Sequence, residues 1–184
     1  RMHHHKANDP ERKKWQDPEA ILNEIGLRPG ATFVDVGCGG GYFTLPAARM
    51  VGKNGRVYGI DSYAASIAEI RELADREGLR NLELVTGKAE DNILCTSCAD
   101  IVFFGIVLHD FDDPAKVLRN AREMLKPEGR LVNMDWKKVD LPVGPPLWKK
   151  FSEEKAAELI EAAGFTIASI KDIPPYAYMI TATP

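Results

Sequence analysis

The rhythm of this chain constrains its fold most: short apolar runs of β type alternate with helical runs along nearly all of its 184 residues. That alternation is the pattern of a parallel sheet assembled from βαβ units, so an α/β fold is expected. Residues 31–36 predict a buried strand, 42–51 a helix and 56–61 the next strand, one βαβ unit of about 30 residues. Residues 63–77 predict a helix stopped by Gly78, and 81–86 and 99–106 two more strands. The second of these is almost continuously apolar, as a central strand covered on both faces should be.

Asp113-Pro114 opens a further helix with Val117, Leu118, Ala121, Met124 and Leu125 on one face, and 126–129 reads as a turn into a strand at 130–136. Ser152 caps a helix that Gly164 closes. The tail, 165–172 and 177–183, holds two strands joined by too short a link for a crossover, hence an antiparallel hairpin after five parallel strands. Ahead of the sheet, a charged lead (11–14) precedes a docking helix with Asp17 as cap, Pro18 in the first turn and Ile21, Leu22 and Ile25 as its apolar face. The expected organisation is therefore an arm, residues 1–27, and one domain, 28–184.

Composition narrows the function classes. Lys+Arg of 24 against Asp+Glu of 27 gives a net charge of −3, without the basic field of a general nucleic-acid binder. No apolar run approaches the roughly 20 residues of a membrane span. Three cysteines cannot all pair internally and no apolar signal segment is recognisable, so a reduced, cytoplasmic setting is expected. The His3–His5 run carries no functional weight.

The chemistry concentrates where the strand ending Val34-Asp35-Val36 runs into Gly37-Cys38-Gly39-Gly40-Gly41 and a helix follows at once. Glycines there allow positive φ and close approach of a ligand, while a helix start offers unpaired N–H groups to an anion. Asp61 closes the second strand about 20 residues on, where a carboxylate can accept from ribose hydroxyls. The dinucleotide fingerprint wants its third glycine at position 42, which is Tyr42. A nicotinamide oxidoreductase is thereby disfavoured.

With Asp35 two residues before Gly37, and Gly39 and Gly41 following, the segment resembles motif I of the class I S-adenosylmethionine (SAM) dependent methyltransferases, a (D/E)xGxGxG pattern. The likeness runs from about residue 28 to the end. Gly87-Lys88-Ala89-Glu90-Asp91 resembles the adenine-holding loop, residues 99–103 with Leu108-His109 the fourth strand and its exit, and residues 124–131 the "LKPGG-L" turn. The closest likeness is to the UbiE-like, "methyltransferase type 11" group. It implies a Rossmann-like sheet ordered 3-2-1-4-5-7-6, SAM as cofactor, and Asp35, Gly37, Gly39, Gly41, Asp61, Ser62, Ala89, Glu90 and Gly105 as its binding set. Lys88 departs from the pattern, since lysine cannot accept from the adenine amino group, and shifts that task to Glu90 or Asp91 with the Ala89 N–H. Glu128 replaces a glycine of the turn.

Methyl transfer from SAM is an in-line displacement that needs alignment in a dry pocket and no metal. His109 and Asp110 after the fourth strand and Asp135 at the end of the fifth are the catalytic candidates, because ligands of an open α/β sheet gather at its carboxyl edge. Asp112 and Asp113 read as caps of the Pro114 helix. Cys95 and Cys98 read as small buried thiols near the opposite edge. Residues 137–151 form a long connection, a substrate lid whose Lys137, Lys138, Lys149 and Lys150 would attract an anion, and Trp15 would close the opening from the other side. A small-molecule acceptor is expected, with a protein or RNA acceptor and a non-catalytic SAM binder as alternatives. A chain this short also leaves room for a second subunit, a homodimer, to complete the site.

Overall fold

In the computed structural model, which describes residues 6–184, seven strands form one sheet in the order β3-β2-β1-β4-β5-β7-β6. The His3–His5 run lies outside the described residues. The strands are β1 (Thr32–Val36), β2 (Arg56–Asp61), β3 (Leu82–Thr86), β4 (Ala99–Gly105), β5 (Leu125–Trp136), β6 (Thr166–Ile173) and β7 (Ala177–Thr183). The first five pair in parallel, and β7 runs antiparallel to both β5 and β6, as the tail predicts.

Six helices connect or flank them: α1 (Pro10–Lys13), α2 (Pro18–Glu24), α3 (Thr44–Val51), α4 (Ala64–Glu77), α5 (Pro114–Met124) and α6 (Glu153–Ala162). Side chains of β4 alternate between two cores, because successive residues of a strand face opposite sides. Ile101 and Phe103 join α2 and α3 on one face. Val102 and Phe104 join α5 and α6 on the other. The caps follow the sequence signals: Asp17, Asp113 and Ser152 each accept a backbone N–H of the first turn, from Ala20, Lys116 and Lys155. Asp113 alone caps α5, since Asp112 instead faces Lys88 at 3.9 Å.

Three expectations change. The helix after the glycine turn starts at Thr44 rather than Tyr42, and Tyr42 and Phe43 stand ahead of it with their rings buried. The turn at 126–129 is an excursion within β5: Ala99 pairs with Leu125 and Ile101 with Arg130, so Asp100 alone stands opposite the extra residues. Asp100 anchors it by accepting from Lys126 Nζ at 2.9 Å. The charged lead is a short helix capped by Asp9, and it buries Arg12.

The arm shares the core of the sheet, since Ile21, Leu22, Ile25 and Leu27 belong to the same buried cluster as Phe33 and Phe103. Phe103 is fully buried, with its ring centroid 4.7 Å from that of Phe43 and 5.7 Å from that of Phe33. Phe103→Ala is expected to cost about 3–5 kcal/mol, read as a lower urea midpoint with unchanged slope.

Candidate functional site

The carboxyl ends of β1, β2 and β4 diverge around a cavity of about 1130 Å³, large for a single small ligand and roomy enough for cofactor and acceptor together. Asp35, Gly37, Gly39, Asp61, Ser62, Ala89, Glu90, Gly105, His109 and Asp110 all line it. The arm contributes Asp9, Glu11, Arg12 and Trp15, and the long connection contributes residues 142–146, Trp148 and Lys149.

Gly37 and Gly39 take φ of +73° and +53°, a region side chains rarely enter. At Gly37 an added Cβ would stand 3.0 Å from Val107 Cγ1, whereas at Gly39 it would meet nothing, so there the backbone conformation alone selects glycine. Asp61 braces this turn: Oδ2 accepts the Gly39 N–H at 3.0 Å and Oδ1 accepts the Tyr63 N–H at 2.9 Å. Asp35 is buried beneath it and accepts from Thr44 Oγ1 at 2.7 Å, and burial pushes its carboxyl up to about 7.

Two expected cofactor residues stand elsewhere. Gly41 is not on the cavity wall. Its φ is +94° and its absent Cβ makes room for Ile70 Cγ1 at 3.0 Å, so it serves the packing of α3 against α4. Asp91 also lies off the wall, with Oδ1 3.5 Å from Lys116 Nζ. Glu90 stays on the wall, and its Oε2 accepts the N–H groups of Asp112 and Asp113 at 3.0 and 3.2 Å, joining the loops after β3 and β4.

On the far side of the cavity His109 sits in a one-turn helix, residues 108–110, and is buried with Asp135 directly below. His109 Nδ1 lies 2.9 Å from Asp135 Oδ2, while Asp135 Oδ1 accepts the Trp136 N–H at 2.8 Å. That geometry assigns the Nδ1–H tautomer and leaves Nε2 for the cavity, with Asp110 Oδ1 at 3.5 Å. Burial pulls the imidazole pKa down, but the bond to Asp135 and the charges of Asp135 and Asp110 together outweigh it and raise the pKa above the ordinary 6.5.

The lysines of the long connection are largely committed to protein partners. Lys137 pairs with Asp172, Lys149 Nζ lies 2.7 Å from Asp110 Oδ1, and Lys150 donates to the Val139 carbonyl. Their expected role as an anion trap gives way to a latch that holds this segment at the cavity mouth. Cys95 and Cys98, read as thiols, stand sulfur against sulfur at the amino end of β4, where the backbone N–H groups of Ser97 and Cys98 bond the end of α5. Among the described residues no group of His, Cys, Asp or Glu is arranged to hold a metal ion, and no helix is long and apolar enough to cross a membrane.

Sequence reasoning missed Ile106. It lines the cavity with φ of +62°, a strained conformation for a β-branched residue, held by its N–H bond to the Met134 carbonyl at 2.7 Å. Nothing in the sequence marks it, because the strain comes from the bend between β4 and the His109 turn.

A family profile described as a methyltransferase domain matches residues 27–175. A SAM-dependent methyltransferase from Aquifex aeolicus has a structure that superposes with a TM-score of 0.89 at 31% identity, over 95% of this chain and 93% of that one. The chain belongs to the class I SAM-dependent methyltransferases. The demethylmenaquinone methyltransferase of Bacillus velezensis is 30% identical over 124 residues, 67% of this chain and 52% of that protein. The chain thus spans about half the length of the curated relatives it matches. The [4+2]-cyclase SpnF superposes with a TM-score of 0.79 at 18% identity, over 100% of this chain and 87% of that one, a likeness of fold alone.

The residues of this methyltransferase chain fit SAM: the positive-φ turn at Gly37 and Gly39 puts no side chain between its backbone and the cavity, and Asp61 and Glu90 bring carboxylate acceptors to the wall, as ribose hydroxyls and an adenine amino group require. The two glycine types should separate on substitution. Gly41→Ala is expected to lower stability by about 1–3 kcal/mol and leave the affinity of the folded protein for S-adenosylhomocysteine (SAH) within about twofold. Gly37→Ala is expected to lower that affinity about tenfold or more by calorimetry, because its strain and its contact with Val107 fall inside the binding turn.

Proposed function

We propose that this chain transfers a methyl group from SAM to a small-molecule acceptor that must lose a proton as it is methylated, and that His109 takes that proton. The observation that carries this reading is the buried pair formed by His109, in the wall of the cavity, and Asp135 behind it. SAM, when bound, supplies a methyl group already activated on a sulfonium sulfur. The glycine turn, Asp61, Ser62, Ala89, Glu90 and Gly105 hold the cofactor. Ile106, Val107, Phe111, Trp136 and residues 142–146 wall the remaining space and keep water from it.

Within that space His109 accepts the acceptor's proton at Nε2, and Asp135 steadies the imidazolium that results, as a buried carboxylate does for a histidine base. Asp110 positions this turn through Lys149 rather than acting on the acceptor. The small-acceptor reading is supported by the net charge of −3 and by relatives named demethylmenaquinone methyltransferase, which point to phenol- or quinol-like acceptors as the first to try.

Labelled SAM with a panel of phenolic, quinol and amine acceptors tests this directly. Turnover is expected on an acceptor with an ionisable hydroxyl or an acidic C–H, and tight SAM binding with no transfer to any of them would contradict it. His109→Ala is expected to lower kcat about 100-fold or more. The neutral imidazole is the base and its pKa is raised, so kcat/KM should climb with pH through a midpoint above 6.5. Asp135→Asn removes the charge that raises it, and the rising limb should move to lower pH while the plateau falls. A pH profile that Asp135→Asn leaves in place would remove His109 from the proton transfer.

A further inference from the structure

Arg12 is buried to 4% exposure in a helix of only four residues, and most of its hydrogen-bonding capacity is unused. Its Nε donates to Gln16 Oε1 at 2.7 Å, and its guanidinium lies over the Tyr42 ring, 3.9 Å from the centroid, with the Phe43 ring at 5.4 Å. Among the described residues no hydrogen bond reaches Nη1 or Nη2 and no carboxylate stands within 4 Å, which leaves four N–H groups on a buried cation at the cavity wall. Burial without a paired anion draws this guanidinium down to about 10. Asp35 is close enough to act on Arg12 electrostatically, yet its hydrogen bond is to Thr44 and the two form no ion pair. A buried guanidinium and a buried carboxyl thus act on each other across the cavity wall without a hydrogen bond between them.

Strand order says what should meet them. Along the carboxyl edge Ala89 and Glu90 follow β3, Asp61 and Ser62 follow β2, Asp35 closes β1, and His109 follows β4. With adenine over the first pair, ribose over the second and the acceptor by His109, the amino-acid half of SAM falls over β1. That half is a zwitterion, one α-carboxylate and one α-ammonium.

We propose that Arg12 binds the α-carboxylate of SAM through its planar fork while Asp35 faces the α-ammonium, making the arm a part of the cofactor site. The proposal rests on the reading of this cavity as a SAM site. Arg12 lies outside the region matched by the family profile, residues 27–175, so the arm completes a pocket that the matched domain leaves open on this side. A fork of N–H groups suits a carboxylate better than a point charge does, and the Tyr42 face fixes its plane.

Binding of two ligands by the full chain, measured by calorimetry, tests this without turnover. SAH carries the amino-acid half; 5′-methylthioadenosine (MTA) keeps the adenosine and the sulfur but lacks that half. Arg12→Gln is expected to weaken SAH about tenfold or more while MTA stays within about twofold, collapsing the preference for SAH. Equal weakening of both ligands would make Arg12 a support of the arm, and unchanged SAH binding would remove it from the site; either overturns the proposal. Arg12→Lys covers the case in which the glutamine variant does not fold: loss of the fork should still cut the SAH preference about threefold, and an unchanged preference overturns the proposal. Failure of the wild-type chain to bind SAH or MTA would instead overturn the SAM reading beneath it, an outcome distinct from a loss confined to the variants.

Discussion

Everything in this molecule follows from where β1 sits. Paired with β2 on one side and β4 on the other, it is the strand at which the sheet order reverses, and the loops leaving β1 and β4 must part to opposite faces. A crevice results at the carboxyl edge without any residue being selected to make it. The chain then spends its unusual chemistry there: positive-φ glycines, a buried Asp35, a strained Ile106, a buried Arg12 and a histidine on a buried carboxylate. Away from the crevice the structure is ordinary packing of apolar helix faces on both sides of one sheet.

The sheet was legible in the sequence because period and punctuation agree at nearly every element. Gly78 and Gly164 stop helices, Asp17, Asp113 and Ser152 cap them, and the short link before Ala177 leaves β6 no choice but an antiparallel partner. The excursion at 126–129 was readable as a turn but not as an interruption inside a ladder, since pairing with Ala99 on its near side depends on a distant strand. The glycines show a similar limit. Gly37, Gly39 and Gly41 look alike as a motif, yet two shape the turn on the cavity wall and the third clears space for Ile70, a distinction set by α4.

The site was half legible. His109, Asp110 and Asp135 stood out as titratable groups at strand ends, but their spacing in sequence did not reveal that His109 and Asp135 are partners, because β4 and β5 pair only in the folded sheet. Arg12 was hidden by its setting. Among Glu11, Lys13 and Lys14 it reads as one more solvated charge, and only the packing of the arm over Tyr42 withdraws it from water.

The crevice beside β1 is built for SAM and not for a nicotinamide dinucleotide, although both families put glycines and an acid at these strand ends. Parallel calorimetric titrations of the wild-type chain with SAH and NADH decide it most directly. SAH should bind at one site per chain and NADH should give no saturable heat. Saturable NADH binding with SAH silent would contradict the account.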